Sequence, residues 1–442
     1  MIFGFGSNKK KSVKEESDEE QEEEFVLFQG AVNGNNPDLT AHGRLVQAGL
    51  LPAKKLISDA LAVRGEMIRL EQKGQVAIST VIIDSVAAAP TKMPALQGQA
   101  IIQMLKLLAG LDIKSKGKPL AGGIKAEYDG KTYELRINSQ PLEGGLERLV
   151  VRALDPAIKL EKPRDVGFSE PLINRVRELS SSRNGLILAA GPPFSGVTTL
   201  KMALMRCSDA YMYSIYFLAD VGREISYVKM FPANEGDDLA RTMQRARRED
   251  ADILVLDPID NPTDAKTALE FSKECSIVTD MYAKDSPEAI LRLVKAAGPQ
   301  LVTDQLKMVV SQMFIRALCK TCRRAYRPNP ALLGKIGLPP ETRVLYRPTI
   351  AGVTQAEEND KNAEEEICSD CNGIGYKGKI ALIEVIEMTD GIKQVILKGG
   401  DVKAIRAQAR ADKQQSFHSD GLRVVVEGNT SLEELQRAFR ST

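Results

Sequence analysis

Two Cys-x-x-Cys pairs, Cys319-Lys-Thr-Cys322 and Cys368-Ser-Asp-Cys371, carry the clearest chemistry in this sequence. Four thiolates in that pattern close a tetrahedral zinc site that leaves no position for water, so its metal stabilises rather than catalyses. Cys207 and Cys275 lie in apolar surroundings and read as buried thiols. His42 and His418 stand far apart without a pattern and receive no role. A second constellation runs from Gly191 to Thr198, GPPFSGVT. Gly191, Gly196 and Thr198 meet the phosphate-loop pattern G-x-x-x-x-G-K-[ST], in which backbone N–H groups at a helix N-terminus cradle phosphate oxygens. Its lysine position holds Val197, which cannot neutralise β- or γ-phosphate charge. Lys201, one turn further along the same helix face, is placed to replace part of that charge. The alternative is an ordinary strand-to-helix turn whose glycines serve geometry alone.

The elements around these residues decide between the two. Leu186–Ala190 is a short buried-strand run, Gly191–Gly196 a turn and Val197–Met205 a helix, the context in which a phosphate loop works. Short apolar runs at Ile215–Leu218, Ile253–Leu256 and Ser276–Thr279 alternate with helical patterns, implying a mostly parallel sheet covered on both faces. Upstream, Met67, Ile68, Leu70 and Val76, Ile78, Val81, Ile83 alternate around Lys73-Gly74 as a hairpin. Residues 96–111 recur at helical spacing, and Tyr128–Arg136 and Glu147–Leu154 are strand-like, which makes a compact α+β unit. A helical pattern within residues 26–60 is too brief to assign. Asp155–Asp165, with Pro156 and Pro163, reads as a linker. Between the cysteine pairs, prolines followed by the acidic stretch Glu357–Glu366 predict a loop-rich excursion that a metal would pin at its base.

Composition narrows the function. Across 442 residues, 60 Lys and Arg nearly cancel 59 Asp and Glu, so no global basic field attracts nucleic acid. Eight of the ten residues Glu15–Glu24 are acidic, and the segment reads as a solvated tail. No run approaches the roughly 20 apolar residues of a membrane-spanning helix. The start lacks the apolar stretch of a secretory signal, which places the chain in the cytoplasm.

Taken in chain order, LLAGLDI, YELRIN, ERLVVRALD, the GPPFSGVT loop, the ILVLD run and the two cysteine pairs resemble the ATPase family that powers type II secretion and type IV pilus assembly, the GspE/PilB family. LLAGLDI (107–113), YELRIN (133–138) and ERLVVRALD (147–155) resemble the domain that packs on the nucleotide. GPPFSGVTTL resembles the phosphate loop, and LARTMQRARREDADILVLDPIDNPTDA the arginine-rich segment and Walker B strand. SQMFIRALCKTC and CSDCNGIGYKGKIALIEVIEM resemble the cysteine module, and NTSLEELQRAF the C-terminal helix.

The resemblance, which covers roughly residues 60–442, implies an α/β fold: a RecA-like phosphate-loop NTPase domain with a parallel sheet, preceded by a smaller α+β domain and carrying a tetracysteine zinc insertion. The expected boundaries are a charged tail over 1–25, an α+β domain over 26–155, a linker over 156–170 and the ATPase-type domain over 171–442. Within the last lie a zinc module at about 317–378 and a helical part over 379–442. Family nucleotide contacts map onto Gly191, Ser195, Gly196, Thr198, Thr199, Asp220 and Asp257. Arg136, Arg148 and Arg152 match arginines that approach the nucleotide across the domain cleft, and Arg241 and Arg248 those of the following segment. Departures fall where the family does chemistry: Val197 for lysine, Pro258 for the water-orienting glutamate, Ala219 for one acid of the Asp box and Tyr282 for the histidine. Proline can neither accept a proton nor hold the attacking water.

These substitutions attack separate parts of phosphoryl transfer. The resulting expectation is a non-hydrolysing structural or regulatory subunit of a secretion or pilus machine, with zinc and with ATP and Mg²⁺ held without turnover. Family members form hexameric rings, so the implied partners are identical subunits or an active paralogue, together with inner-membrane platform proteins. Two alternatives stand beside it: a working ATPase with a rearranged site built on Thr198, Asp257 and the arginines, and a generic zinc-containing binding module.

Overall fold

The computed structural model describes residues 25–115, 117–156, 162–219, 225–350 and 367–440. Asp220, residues 1–24 of the expected tail and the acidic stretch Glu357–Glu366 lie outside them. The chain divides into two compact units, Met1–Val81 with Ala89–Pro156, and Ile82–Ala88 with Ala157–Thr442.

The first sheet contains β1 (Leu27–Ala31), β2 (Gly65–Lys73), β3 (Val76–Ile83), β4 (Val86–Ala87), β5 (Thr91–Pro94), β6 (Leu120–Tyr128), β7 (Lys131–Pro141) and β8 (Glu147–Leu154). Its order is β1-β6-β7-β8-β2-β3, with β3 also pairing β4 and β5. Helices α1 (Gly43–Ala62) and α2 (Ala95–Leu108) cover one face. Alternate residues Ile68 and Leu70, Ile124 and Ala126, Leu135 and Ile137, Leu149 and Val151 point into that core, as the period of two in a strand requires.

The helical pattern within 26–60 is explained by α1, whose interior Pro52 interrupts the periodicity without ending the helix. α1 approaches α2 closely: a Cβ on Gly49 would lie 2.7 Å from the Ala100 carbonyl oxygen. The run Tyr128–Arg136 is not one strand. Asp129 and Gly130 both adopt positive φ, 49° and 67°, and turn β6 into β7, the conformation that favours Asp-Gly in tight hairpins.

The second sheet contains β9 (Leu186–Gly191), β10 (Ile215–Phe217), β11 (Val228–Met230), β12 (Ile253–Val255), β13 (Ser276–Tyr282) and β14 (Leu306–Leu318). A two-stranded ribbon, β15 (Arg324–Tyr326) and β16 (Leu345–Arg347), precedes β17 (Tyr376–Glu387). The main order is β11-β10-β12-β13-β9-β14-β17, parallel except for β17. Every residue of β9 is buried, as a central strand covered on both faces demands.

Helices α3 (Glu170–Ser181), α4 (Val197–Cys207), α5 (Leu239–Arg248), α6 (Pro262–Phe271), α7 (Ser286–Ala297) and α8 (Pro299–Gln305) follow in chain order. α9 (Pro330–Ile336) lies between β15 and β16, and α10 (Asp390–Leu397), α11 (Val402–Ala411), α12 (Phe417–Val426) and α13 (Leu432–Arg440) end the chain. The first nine residues of the expected helical part, 379–387, are therefore strand, because KIALIEVIE continues β17 beside β14, and the first helix begins at Asp390. The excursion between the cysteine pairs is also more ordered than its prolines suggest. It forms the ribbon and α9, and buries Leu333, Leu338 and Leu345 in a core shared with Phe417, Val424 and Leu435.

Polar anchors fix both units internally. In the first, buried Lys106 of α2 donates to Glu147 at 2.6 Å and to the Ser115 carbonyl at 2.9 Å. In the second, buried Glu384 of β17 accepts the Ser286 backbone N–H at 2.9 Å, at the start of α7. Asp285 caps that helix through the Glu288 N–H and pairs with Arg406 of α11, while Ser286 and Ser311 share a hydroxyl hydrogen bond of 2.7 Å. Burial pushes the Glu384 carboxyl up to about 7; the Ser286 N–H and Arg406 oppose the shift and Asp285 adds to it. The folded chain thus binds a proton that the unfolded chain lacks between the usual 4.5 and about 7, and loses stability as pH rises through that window. Glu384→Gln should raise stability at pH 8 by up to about 3 kcal/mol and change it little at pH 5. Thermal melts at the two pH values check this, and an equal shift at both contradicts it.

Candidate functional site

The phosphate loop leaves the carboxyl end of β9, where open parallel sheets place ligands. Gly191 has no room for a side chain: a Cβ there would sit 2.4 Å from Ser195 Oγ and 2.6 Å from the Gln312 carbonyl oxygen. Gly196 takes φ 81°, and a Cβ on it would meet Gln312 Nε2 at 2.8 Å. Gln312, buried on β14, donates from Nε2 to the Ser195 carbonyl at 2.6 Å and holds the loop from behind. Neither Ser195 Oγ nor Gln312 Oε1 has a hydrogen-bond partner among the described residues. Phe194, half-exposed at the loop tip, takes φ 69°, a strained setting for a bulky residue.

Side chains of Asp238, Asn261 and Asp285 cap α5, α6 and α7. α4 has no such cap, because Gly196 occupies its N-cap. Its first N–H groups, with the positive end of the helix dipole, are therefore left for an external acceptor. Thr198 is exposed and Thr199 half-buried. Val197 is only 3% exposed and belongs to the apolar core, with its Cγ2 3.0 Å from a Cβ placed on Gly191. The position of the expected lysine is thus filled by a methyl group turned inward.

Lys201 does not supply the missing charge. Its ammonium, on a side chain 2% exposed, pairs with Asp280 Oδ1 at 2.7 Å and donates to the Leu256 carbonyl at 2.8 Å. Position 201 shares a face with Val197, but that face looks into the sheet and the buried charge must be met there. Burial holds the Asp280 carboxyl above its usual range despite Lys201, with Asp257 and Asp260 adding to the shift.

The neighbouring strand ends complete the site. Asp257 is exposed just past β12, and its carbonyl accepts the Thr279 hydroxyl at 3.0 Å. Pro258 follows it, half-buried and without an N–H. Tyr282 ends β13 opposite Gly191, and the next residue, Ala283, donates its N–H to the Gly191 carbonyl at 3.0 Å. Ala219 is half-buried at the edge of the described residues. Arg241 and Arg248 are exposed two turns apart on α5. In the other unit, Arg136 and Arg152 are register partners across β7 and β8, and Arg148 lies on the same face, opposite the apolar core. Arg136 pairs with Glu134 at 2.9 Å and Arg148 with Glu71 at 2.7 Å. Gln312 and Asp280 carry no sequence signal; they stand within apolar strands whose pattern hides them.

The cysteine pairs are brought together by strand pairing. Cys319 and Cys322 follow β14, Cys368 and Cys371 precede β17, and Leu318 pairs with Tyr376 in the antiparallel register. All four sulfurs lie within 4.8 Å of one another, with Cys319–Cys368 at 3.9 Å and Cys322–Cys371 at 3.6 Å. A tetrahedron of Zn–S bonds has S–S edges of about 3.8 Å, so the donor set fits that ion. The Gly375 N–H donates to Cys371 Sγ at 3.3 Å, as outer-shell amides do for thiolates. Burial opposes ionisation of Cys319, yet the N–H groups of Cys322 and Thr321 pull its thiol down to about 7. Burial and the adjacent sulfurs push Cys322 up. Four cysteine sulfurs this close together are able to bind a metal ion, which takes them as thiolates. Cys207 and Cys275 lie elsewhere, both pushed up to about 12 by burial.

Comparisons with known proteins agree with this architecture. The profile of the family described as Type II/IV secretion system protein matches residues 47–437. The type IV pilus assembly ATPase PilB of Thermus thermophilus is 26% identical over 388 residues, covering 86% of this chain and 42% of that protein. PilB of Myxococcus xanthus is 26% identical over 400 residues, covering 87% and 67%. Type II secretion system protein E of Pseudomonas aeruginosa is 26% identical over 345 residues, covering 77% and 65%. The chain thus spans between 42% and 67% of the length of these relatives. The solved structure of the Legionella pneumophila ATPase DotB shares the fold at TM-score 0.51 and 11% identity, covering 87% of this chain and 94% of that one. With the family profile matched over most of its length, the chain belongs to the type II/IV secretion system protein family, alongside secretion and pilus-assembly ATPases.

Proposed function

We propose that this chain is a non-hydrolysing structural or regulatory subunit of a type II secretion or type IV pilus system. One observation carries the reading: the loop's lysine position is a buried valine, and the lysine of α4 is engaged by Asp280. Phosphoryl transfer rests on positioning and charge stabilisation, and a loop of amides alone supplies only the first. Pro258, Ala219 and Tyr282, at the positions that the resemblance gives to the glutamate, an Asp-box acid and the histidine, support the same reading.

Nucleotide retention is a separate matter. The open N–H groups of Gly196–Thr199 would hold phosphate oxygens, on a loop whose turn Gly191 lets close against Ser195 and Gln312. Thr198 and Asp257, both exposed, would hold Mg²⁺, which supplies neutralisation of phosphate charge when bound. Arg136, Arg148, Arg152, Arg241 and Arg248, with Asp220, complete the set that the resemblance assigns. The exposure of Thr198 and Asp257 also favours the second reading, an active motor with a rearranged site. The family relation supports a ring of six, homomeric or mixed with an active paralogue, held at the cytoplasmic face of the inner membrane by platform proteins. No described helix is long and apolar enough to cross a membrane.

Cys319, Cys322, Cys368 and Cys371 are read as a structural Zn²⁺ site that ties the excursion to the β14 and β17 ends. Metal analysis should find about one zinc per chain. Cys371→Ser should lower the zinc content and the melting temperature, Cys207→Ser should leave the zinc in place, and equal zinc in all three proteins contradicts the site.

The activity is tested by phosphate release from Mg-ATP. The parent should show none above the blank, and Val197→Lys with Pro258→Glu should show measurable turnover. Turnover by the parent protein would overturn the reading in favour of the rearranged motor.

A further inference from the structure

The geometry points to Lys201 and Asp280 as a positioning pair that welds the phosphate-loop helix to the ends of the neighbouring strands. Lys201 leaves α4 in its second turn and Asp280 lies within β13. Both side chains are at least 97% buried. One ammonium makes all the contacts: Asp280 Oδ1 on β13 at 2.7 Å, the Leu256 carbonyl just past β12 at 2.8 Å, and the face of Phe217 on β10, whose ring centroid is 5.4 Å away. A helix and three strands thus meet at one charge.

Two further links extend the weld to the loop surface. Thr279 donates to the Asp257 carbonyl, which joins the turn after β12 to the middle of β13. Ala283 donates to the Gly191 carbonyl, which joins the end of β13 to the start of the loop. α4 begins directly after Gly196, so a fixed α4 fixes the loop's far end as well. The loop is then held at both ends and, through Gln312, from behind.

Stability alone does not account for such a pair. A buried ion pair replaced by apolar residues of similar volume often leaves a protein equally stable, because desolvation offsets the attraction. What the pair adds is direction. An ammonium with two acceptors and an aromatic face has one favourable position, whereas apolar side chains slide past one another with little penalty. The consequence is that the loop, the Asp257 turn and the Tyr282 strand end move as one body, whether or not a nucleotide is present.

Amide hydrogen exchange on the full, metal-loaded chain separates position from stability. The comparison is the parent protein with Lys201→Met/Asp280→Leu. Exchange in peptides covering Gly191–Leu200 and Leu256–Ile259 should quicken at least tenfold, while the thermal midpoint stays within a few degrees. Lys201→Met alone should lower the midpoint clearly, because it strands a buried carboxylate. If the double variant fails to fold, Lys201→Met/Asp280→Asn, which also removes both charges and keeps the shape of the acid, is read in the same way. Loop exchange within twofold of the parent overturns the inference. Failure of both variants to fold also overturns it, since the pair would then determine folding rather than position.

Discussion

Lys201 carries a full charge into the interior of a parallel sheet, and that charge has to be met there. An unpaired ammonium in such a place would lose its proton or unfold its surroundings. Asp280 and the Leu256 carbonyl meet it, and in doing so fix which way α4 faces. With α4 so fixed, Lys201 is held in the sheet, and Val197, a short apolar side chain closed against Gly191, brings no charge to the loop. The loop keeps its backbone frame, an uncapped helix start behind two glycines, without the charge that usually works inside it. Frame and charge are separable contributions to phosphate handling: amides orient an anion, but a neutral cradle gives up the charge-assisted share of the binding.

The frame was legible in the sequence because it rests on local rules. A short apolar run, two glycines and a helical pattern specify strand, turn and helix without knowledge of the rest of the chain, and β9 and α4 follow them. The cysteine site was legible for the same reason: spacing within each pair is local, and only the strand pairing that unites the pairs is not. Contacts between distant strands left no trace. Gln312 supports the loop from a sequence distance of 117 residues, and Asp280 is one acid among apolar neighbours in β13. The environment of Lys201 is equally hidden, because a helical face shows which residues share a side, not whether that side meets solvent or sheet. Turn chemistry was under-read at Asp129-Gly130, where a hairpin looked like one strand.

The two candidate sites sit at different levels of the same unit. The loop lies at the carboxyl end of β9, in the middle of the sheet, while the cysteines join β14 to β17 at its edge. β14 belongs to both, carrying Gln312 beneath the loop and Leu318 beside the first cysteine pair. Arg316 on the same strand is bound by buried Glu434 of α13, so the last helix is tied to it as well. A structural role for the chain needs this connected frame and does not need turnover, which is why an intact fold around an altered loop is coherent.

The central claim is that the loop retains its shape and lacks its charge. Calorimetric titration with Mg-ATP, run in parallel on the zinc-loaded parent and on Val197→Lys, tests it most directly. A restored ammonium should form charge-assisted hydrogen bonds to the phosphates, so the variant should bind at least about tenfold more tightly than the parent. Equal affinity of the two proteins would contradict the account, because the loop would then bind nucleotide without regard to the charge at position 197.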